Sequence, residues 1–251
     1  MANVTLMPLP DFPRVEPGDR LDGQILAAAG EAGLRDGDIV VLAQKIISKS
    51  EGRYLQLRDV VPSAEAARLA AIARKDPRLV ELILAESRCV MRVAPGVIIV
   101  RHRLGYVMAN AGIDQSNLAQ GAAERVLLLP EDPDRSAAEL RRKLQAATGR
   151  RLAVLIIDSF GRAWRNGACG TTIGSSGLQA LQDLRGRPDL FGRRLETSEL
   201  AFADEIAAAA SLVMGQADEG KPVVIVRGVA WDESDQTARN LVRPTASDLF
   251  K

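Results

Sequence analysis

Leu152-Ala153-Val154-Leu155-Ile156-Ile157-Asp158-Ser159-Phe160-Gly161-Arg162 sets an unbroken apolar run directly before a carboxylate and a glycine-containing turn. Its apolar run is too short for a membrane span and too continuous for an exposed turn, so it reads as a buried strand. Asp158 closes the run and leads into a long glycine-punctuated loop. A carboxylate at the mouth of a buried strand is costly to desolvate unless a cation, a proton or several donors satisfy it.

Further strands and helices extend outward from this one. Asp38-Ile39-Val40-Val41-Leu42-Ala43 and Pro222-Val223-Val224-Ile225-Val226-Arg227-Gly228 are apolar strand signals. The first delivers Gln44, Lys45, Ser48 and Lys49 to its end. Gly96-Val97-Ile98-Ile99-Val100 and Tyr106-Val107-Met108-Ala109 flank a turn, which predicts a β-hairpin with His102 as a surface residue. Helices are expected over 63–74, capped by Ser63, over 77–87, over 136–148 ended by Gly149, and over 197–214 ended by Gly215. The last twenty residues are polar and read as an arm or a capping segment. The class is α/β, or mixed α+β, with a mixed or antiparallel sheet, because the hairpin speaks against a purely parallel doubly wound sheet. Residues 1–251 read as a single catalytic unit, with no linker to mark a boundary between any two subdomains.

Composition narrows the function. Basic and acidic residues number 33 and 32 and aromatics make up 4%, which argues against a nucleic-acid partner. The two cysteines stand in no ligand spacing, and the single histidine excludes a His-rich metal site. The first fourteen residues do not resemble a secretory signal, and no apolar stretch approaches the ~20 residues of a membrane span. A soluble cytoplasmic protein is expected.

Chemistry concentrates in a few segments. Gly220-Lys221 runs into Pro222, so no P-loop is present, and neither a Rossmann G-x-G-x-x-G nor a G-x-S-x-G elbow occurs. The loop after Asp158 combines Arg162 and Arg165 with Gly161, Gly167 and Gly170, offering bidentate donors and open backbone N–H groups to phosphate or carboxylate. Its ordinary alternative is a flexible surface loop. Asn110-Ala111-Gly112-Ile113-Asp114-Gln115-Ser116-Asn117 sets two amides and a carboxylate after a strand. An Asx-rich turn capping a helix explains it as well as a metal or nucleotide site does. Lys45 and Lys49 suit phosphate, though surface lysines are ordinarily just solvated. Gly215-Gln216-Ala217-Asp218-Glu219-Gly220 offers an amide oxygen from Gln216, or is merely a helix stop. Asp114 and Asp158 together suggest a divalent cation holding phosphate.

In order along the chain these segments resemble the coenzyme F420-0:γ-glutamyl ligase family. The carrying residues are Gln44-Lys45-Ile46-Ile47-Ser48-Lys49-x-Glu51-Gly52, Ala109-Asn110-Ala111-Gly112-Ile113-Asp114-x-Ser116-Asn117 and Asp158-x-Phe160-Gly161-Arg162-x-Trp164-Arg165-x-Gly167. Ile173-Gly174, Asp183-x-x-Gly186-x-x-Asp189-x-Phe191-Gly192 and the 222–228 strand continue the match. With no long C-terminal extension, the chain looks like the stand-alone form.

The resemblance implies an α/β, dimer-forming, GTP-dependent ligase that joins L-glutamate to F420-0 through an acyl phosphate and then adds glutamate through its γ-carboxylate. It implies Mg²⁺ or Mn²⁺, two ions in all, and K⁺ as a monovalent activator. Asp114 and Asp158 match the first metal's ligands; Ser159 and Gln216 fall where the second metal's ligands stand. Pro8, Leu9, Pro10, Asp11, Gln44, Lys45, Ser48, Lys49, Asn117, Met214, Gly215, Gln216 and Lys221 match nucleotide contacts. Arg162 and Arg165 join the aspartates as catalytic candidates. Three positions depart from the family pattern: Ser159 for threonine, Pro8 for glycine, and Thr172 for a smaller residue. A ligase for another carboxylate acceptor and a non-catalytic GTP-binding protein are the alternatives.

Overall fold

The computed structural model describes residues 3–30, 33–115 and 124–248. Its centre is a five-stranded mixed sheet in the order β1-β12-β2-β8-β9. These strands are β1 (Thr5–Pro8), β2 (Ile39–Ala43), β8 (Ala153–Arg162), β9 (Arg165–Ser176) and β12 (Val223–Arg227). β2 and β8 run parallel, whereas β12 is antiparallel to both β1 and β2. The strand pattern explains why these runs are continuously apolar. Val40, Leu42, Val154, Ile156, Val223 and Ile225 face one core. Ile39, Val41, Ala153, Leu155, Ile157, Val224 and Val226 face the other. Strands covered on both faces show no polar alternation.

The first core is closed by α1 (Leu21–Ala29) and α5 (Pro133–Thr148). Asp132 caps α5 by accepting from the Arg135 N–H, Pro133 occupies its first turn, and Gly149 ends it in the left-handed conformation at φ 67°. The helix therefore starts before residue 136, at its Asp-Pro signal. The second core is closed by α6 (Phe202–Met214), which Gly215 terminates. This helix starts later than residue 197, because β11 (Glu199–Leu200) pairs instead with β10 (Gln182–Asp183).

A third core gathers α3 (Ala64–Ala73) and α4 (Pro77–Ala85) against β5 (Val97–His102). β5 sits between β4 (Ser87–Ala94) and β6 (Val107–Ala109), so the expected hairpin is present. His102 is not at the surface: it ends β5 with its side chain fully buried. The short α2 (Gln44–Ser50) follows β2 directly, and β3 (Tyr54–Gln56) pairs with β7 (Arg125–Leu127).

The segment after Asp158 departs furthest from expectation. It is a β-hairpin rather than a loop: β8 continues through Asp158 to Arg162, turns at Ala163 and Trp164, and returns as β9. Trp164 takes φ 64° at that turn. Asp158 therefore sits within a strand, opposite Thr171. Among the described residues no helix is long and apolar enough to cross a membrane.

Candidate active site

The site lies at one end of the central sheet. Pro8 pairs with Val224, the Leu9 N–H donates to the Val223 carbonyl, and the Ala43 N–H donates to the Pro222 carbonyl. The C-terminal ends of β1 and β2 thus meet the start of β12, which brings Pro8–Asp11, Gln44 and Lys221 to one edge of the sheet. Ligands of open α/β sheets characteristically sit at such carboxyl ends.

Asp114 is anchored through its backbone. It exchanges both main-chain hydrogen bonds with Leu127 at 2.9 Å, just after a tight turn over Asn110–Gly112. Asn110 and Ala111 adopt φ 51° and 53° there, and the Asn110 side chain accepts from the Ile98 N–H at 3.0 Å. Asn110 is accordingly a turn-fixing residue. The Asp114 carboxylate receives Gln44 Nε2 at 3.1 Å on one oxygen and lies 3.3 Å from Lys45 Nζ through the other.

Asp158 shares a pocket of about 150 Å³ with Asp114, walled by Met108, Ile113, Ser159 and Phe160. Phe160 stands edge-on to Tyr106 at 5.9 Å, and the buried Tyr106 hydroxyl donates to the Ile173 carbonyl. Burial among these apolar walls raises the Asp158 carboxyl to about 6, the Asp114 charge adds to the rise, and the Ser159 N–H and Lys45 oppose it. Ser159 Oγ donates to Gln216 Oε1 at 2.6 Å, tying β8 to the segment after α6. Lys49 is held below the ordinary lysine range, first by burial and then by its fellow cations Lys45 and Arg14, against the pull of Glu16 and Asp114. Arg14 therefore belongs to the same cationic group, although its only signal in the sequence is its place just beyond the Pro8–Asp11 segment.

Several expected residues stand otherwise. Ser48 is fully buried and donates to Gln44 Oε1 at 2.9 Å, so it presents no surface to a ligand. Leu9 is buried as well, whereas Pro10 and Asp11 are exposed. Arg162 and Arg165 pair across the exposed tip of the β8–β9 hairpin. Four residues of strand, about 13 Å, separate Arg162 from Asp158, so the structure does not bring these arginines to the aspartates. Met214 and Gly215 end α6, and Asn117 lies outside the described residues.

The chemistry of the donors fits a hard divalent cation. Two carboxylates, a hydroxyl and an amide carbonyl form an all-oxygen set, which suits Mg²⁺ or Mn²⁺ better than a softer metal. Among the described residues no group of three or more His, Cys, Asp or Glu forms a metal cluster. Such an ion would accordingly draw its remaining ligands from water or phosphate.

Residues 11–228 match the family model described as F420-0:Gamma-glutamyl ligase. The chain belongs to the F420-0:gamma-glutamyl ligase family. It is 48% identical over 252 residues to the coenzyme F420:L-glutamate ligase of Methanothermobacter thermautotrophicus, covering 99% of both chains. It is 43% identical over 255 residues to the enzyme of that name from Methanopyrus kandleri, covering 100% of this chain and 99% of the relative. The relative from Methanocaldococcus jannaschii is 44% identical over 218 residues, with 87% and 86% covered. In this ligase family member the matched stretch spans Asp114, Asp158, Ser159 and Gln216 alike.

Proposed function

We propose that the protein is a GTP-dependent ligase that forms an amide bond between L-glutamate and coenzyme F420-0, and then extends the product through the γ-carboxylate. The observation that carries this reading is the convergence of Asp114 and Asp158 in one pocket beside Lys45 and Lys49. Paired carboxylates suit a cation and the lysines suit polyphosphate, so one strand edge holds complementary halves of a nucleotide–metal site. Family membership and the names of the relatives supply the acceptor and the amino acid.

In the reaction, a carboxylate oxygen of F420-0 attacks the γ-phosphorus of GTP, and the bond to the β–γ bridging oxygen breaks to release GDP. The glutamate amine then attacks the acyl carbon of the resulting acyl phosphate, loses a proton, and expels phosphate. Mg²⁺ or Mn²⁺, two ions held by Asp114, Asp158, Ser159 and Gln216, would neutralise charge developing on the phosphates. The family resemblance implies K⁺ as a monovalent activator. Lys45 and Lys49 hold the triphosphate, Gln44 orients Asp114, and the apolar walls of Phe160 and Met108 exclude water that would hydrolyse the acyl phosphate. The same resemblance implies a homodimer as the working unit.

Incubation with GTP, Mn²⁺, glutamate and F420-0, followed by mass spectrometry, tests the reading. Glutamate-extended F420 is the expected product. Phosphate release without a conjugate would redirect the activity to another acceptor. Asp114→Asn and Asp158→Asn are each expected to lower turnover at least 100-fold while leaving the melting temperature within a few degrees; wild-type turnover in either would remove the carboxylate pair from the mechanism.

A further inference from the structure

The amide of Gln44 joins two hydrogen bonds into one chain. Its Nε2 donates to Asp114 Oδ2 at 3.1 Å, and its Oε1 accepts from the hydroxyl of Ser48 at 2.9 Å. Ser48 lies one turn further along α2, and both side chains belong to buried residues, Gln44 being 2% exposed and Ser48 fully enclosed. A carboxamide has one donor end and one acceptor end. An ionised carboxylate only accepts, so Gln44 must turn its NH₂ toward Asp114, and its oxygen is then committed to position 48. Only a donor at that position satisfies it, because water has no access.

We propose that Ser48 is a positioning residue for the divalent cation: it fixes the orientation of the Gln44 amide and, through it, the Asp114 carboxylate. The inference rests on the metal reading given above and concerns a residue behind the ligand shell. Without a donor at 48, the buried Gln44 oxygen is left unsatisfied, a cost the amide relieves by leaving its present orientation. Asp114 then loses a fixed donor on Oδ2, while Lys45 still engages Oδ1 at 3.3 Å. The consequence is a weakened site rather than an abolished one. Residues that orient metal ligands commonly change affinity by 10–100-fold, and the lower end applies because Lys45 remains.

Mn²⁺ is titrated alone, followed by the electron paramagnetic resonance signal of the free ion, with melting temperature recorded separately without metal. Wild type, Asp114→Asn, Ser48→Ala, Ser48→Cys, Gln44→Met and the Ser48→Ala/Gln44→Met double variant are compared. Ser48→Ala is expected to weaken Mn²⁺ binding about tenfold, and Gln44→Met by a similar factor. The double variant is expected to match Gln44→Met alone, because Ser48 acts only through that amide. Ser48→Cys fills the same space with a weaker donor, so it gives the same comparison if the alanine variant fails to fold. Unchanged Mn²⁺ affinity in the folded Ser48 variants, or effects that add in the double variant, would overturn the inference. Equal Mn²⁺ binding by wild type and Asp114→Asn would overturn the metal reading itself.

Discussion

Asp114 and Asp158 share a pocket but are held in different ways. Asp114 is fixed by backbone bonds to Leu127 and by the side chains of Gln44 and Lys45. Asp158 accepts the N–H of Ser159 and is otherwise pressed by apolar walls, which keeps its carboxyl near 6. Ser159 connects this pair to Gln216 through a 2.6 Å hydrogen bond, and the hydroxyl is the part of the residue that a threonine would share. Ser159→Ala is expected to lower turnover 10–100-fold and weaken Mn²⁺ binding, while Ser159→Thr retains both within a few-fold. Steady-state assays beside a Mn²⁺ titration decide this; equal behaviour of the alanine and threonine variants would remove the hydroxyl from the site.

The β8–β9 hairpin shows which parts of the fold the sequence could reveal. The runs 39–43, 153–157 and 223–227 were legible because strands covered on both faces have no polar interruption, and α5 was legible from its amphipathic spacing and Gly149 stop, although its Asp132-Pro133 start lies earlier than expected. The hairpin over 158–176 was not, since its glycines read as loop. For two of them, Gly170 and Gly174, the cause is packing at long range. A Cβ on Gly170 would lie 2.5 Å from the Ala207 carbonyl oxygen and 2.7 Å from Ser211 Cβ, both on α6, and one on Gly174 would lie 2.5 Å from the Pro133 carbonyl of α5. Those glycines let helices approach the edge strand, a requirement invisible to local pattern. His102 misled for a related reason: its position beside a turn suggested exposure, but tertiary packing encloses it. In the candidate site, the two aspartates stood out beside apolar runs although Asp158 lies within its strand rather than at the end, whereas the burial of Ser48 behind Gln44 depends on where α2 packs. Gly170→Ala is expected to cost about 1–3 kcal/mol by forcing α6 away from β9, lowering the urea midpoint. Because α6 leads to Gln216, activity of the folded variant should fall as well. A crystal structure of the variant with α6 undisplaced would refute this account.

At the scale of the whole molecule, the third core is joined to the rest through Glu86, one residue beyond α4. Arg103 Nε reaches this carboxylate at 3.0 Å and Arg53 Nη2 at 3.4 Å, while His102 Nε2 lies 3.5 Å away. The His102 Nδ1 accepts from the Leu104 N–H, so Nε2 carries the proton and faces Glu86. The same arginines continue into the chain that leads to α5: Arg53 donates to the Leu129 carbonyl and Arg103 to the Glu131 carbonyl. Burial alone would raise the Glu86 carboxyl, but His102, Arg103 and Arg53 outweigh it and hold the group down at about 2. A carboxyl lowered on folding contributes stability that is fully present above its unfolded value of about 4.3 and is lost as pH falls toward 2. With the side chain only 14% exposed, a depression of that size corresponds to at most about 3 kcal/mol. Glu86→Gln is therefore expected to lower the urea midpoint clearly at pH 7, and the gap to wild type should narrow by about 2 kcal/mol at pH 3. Unfolding curves at the two pH values measure it directly. A gap of equal size at both would show that the joint is held by packing rather than by the Glu86 charge.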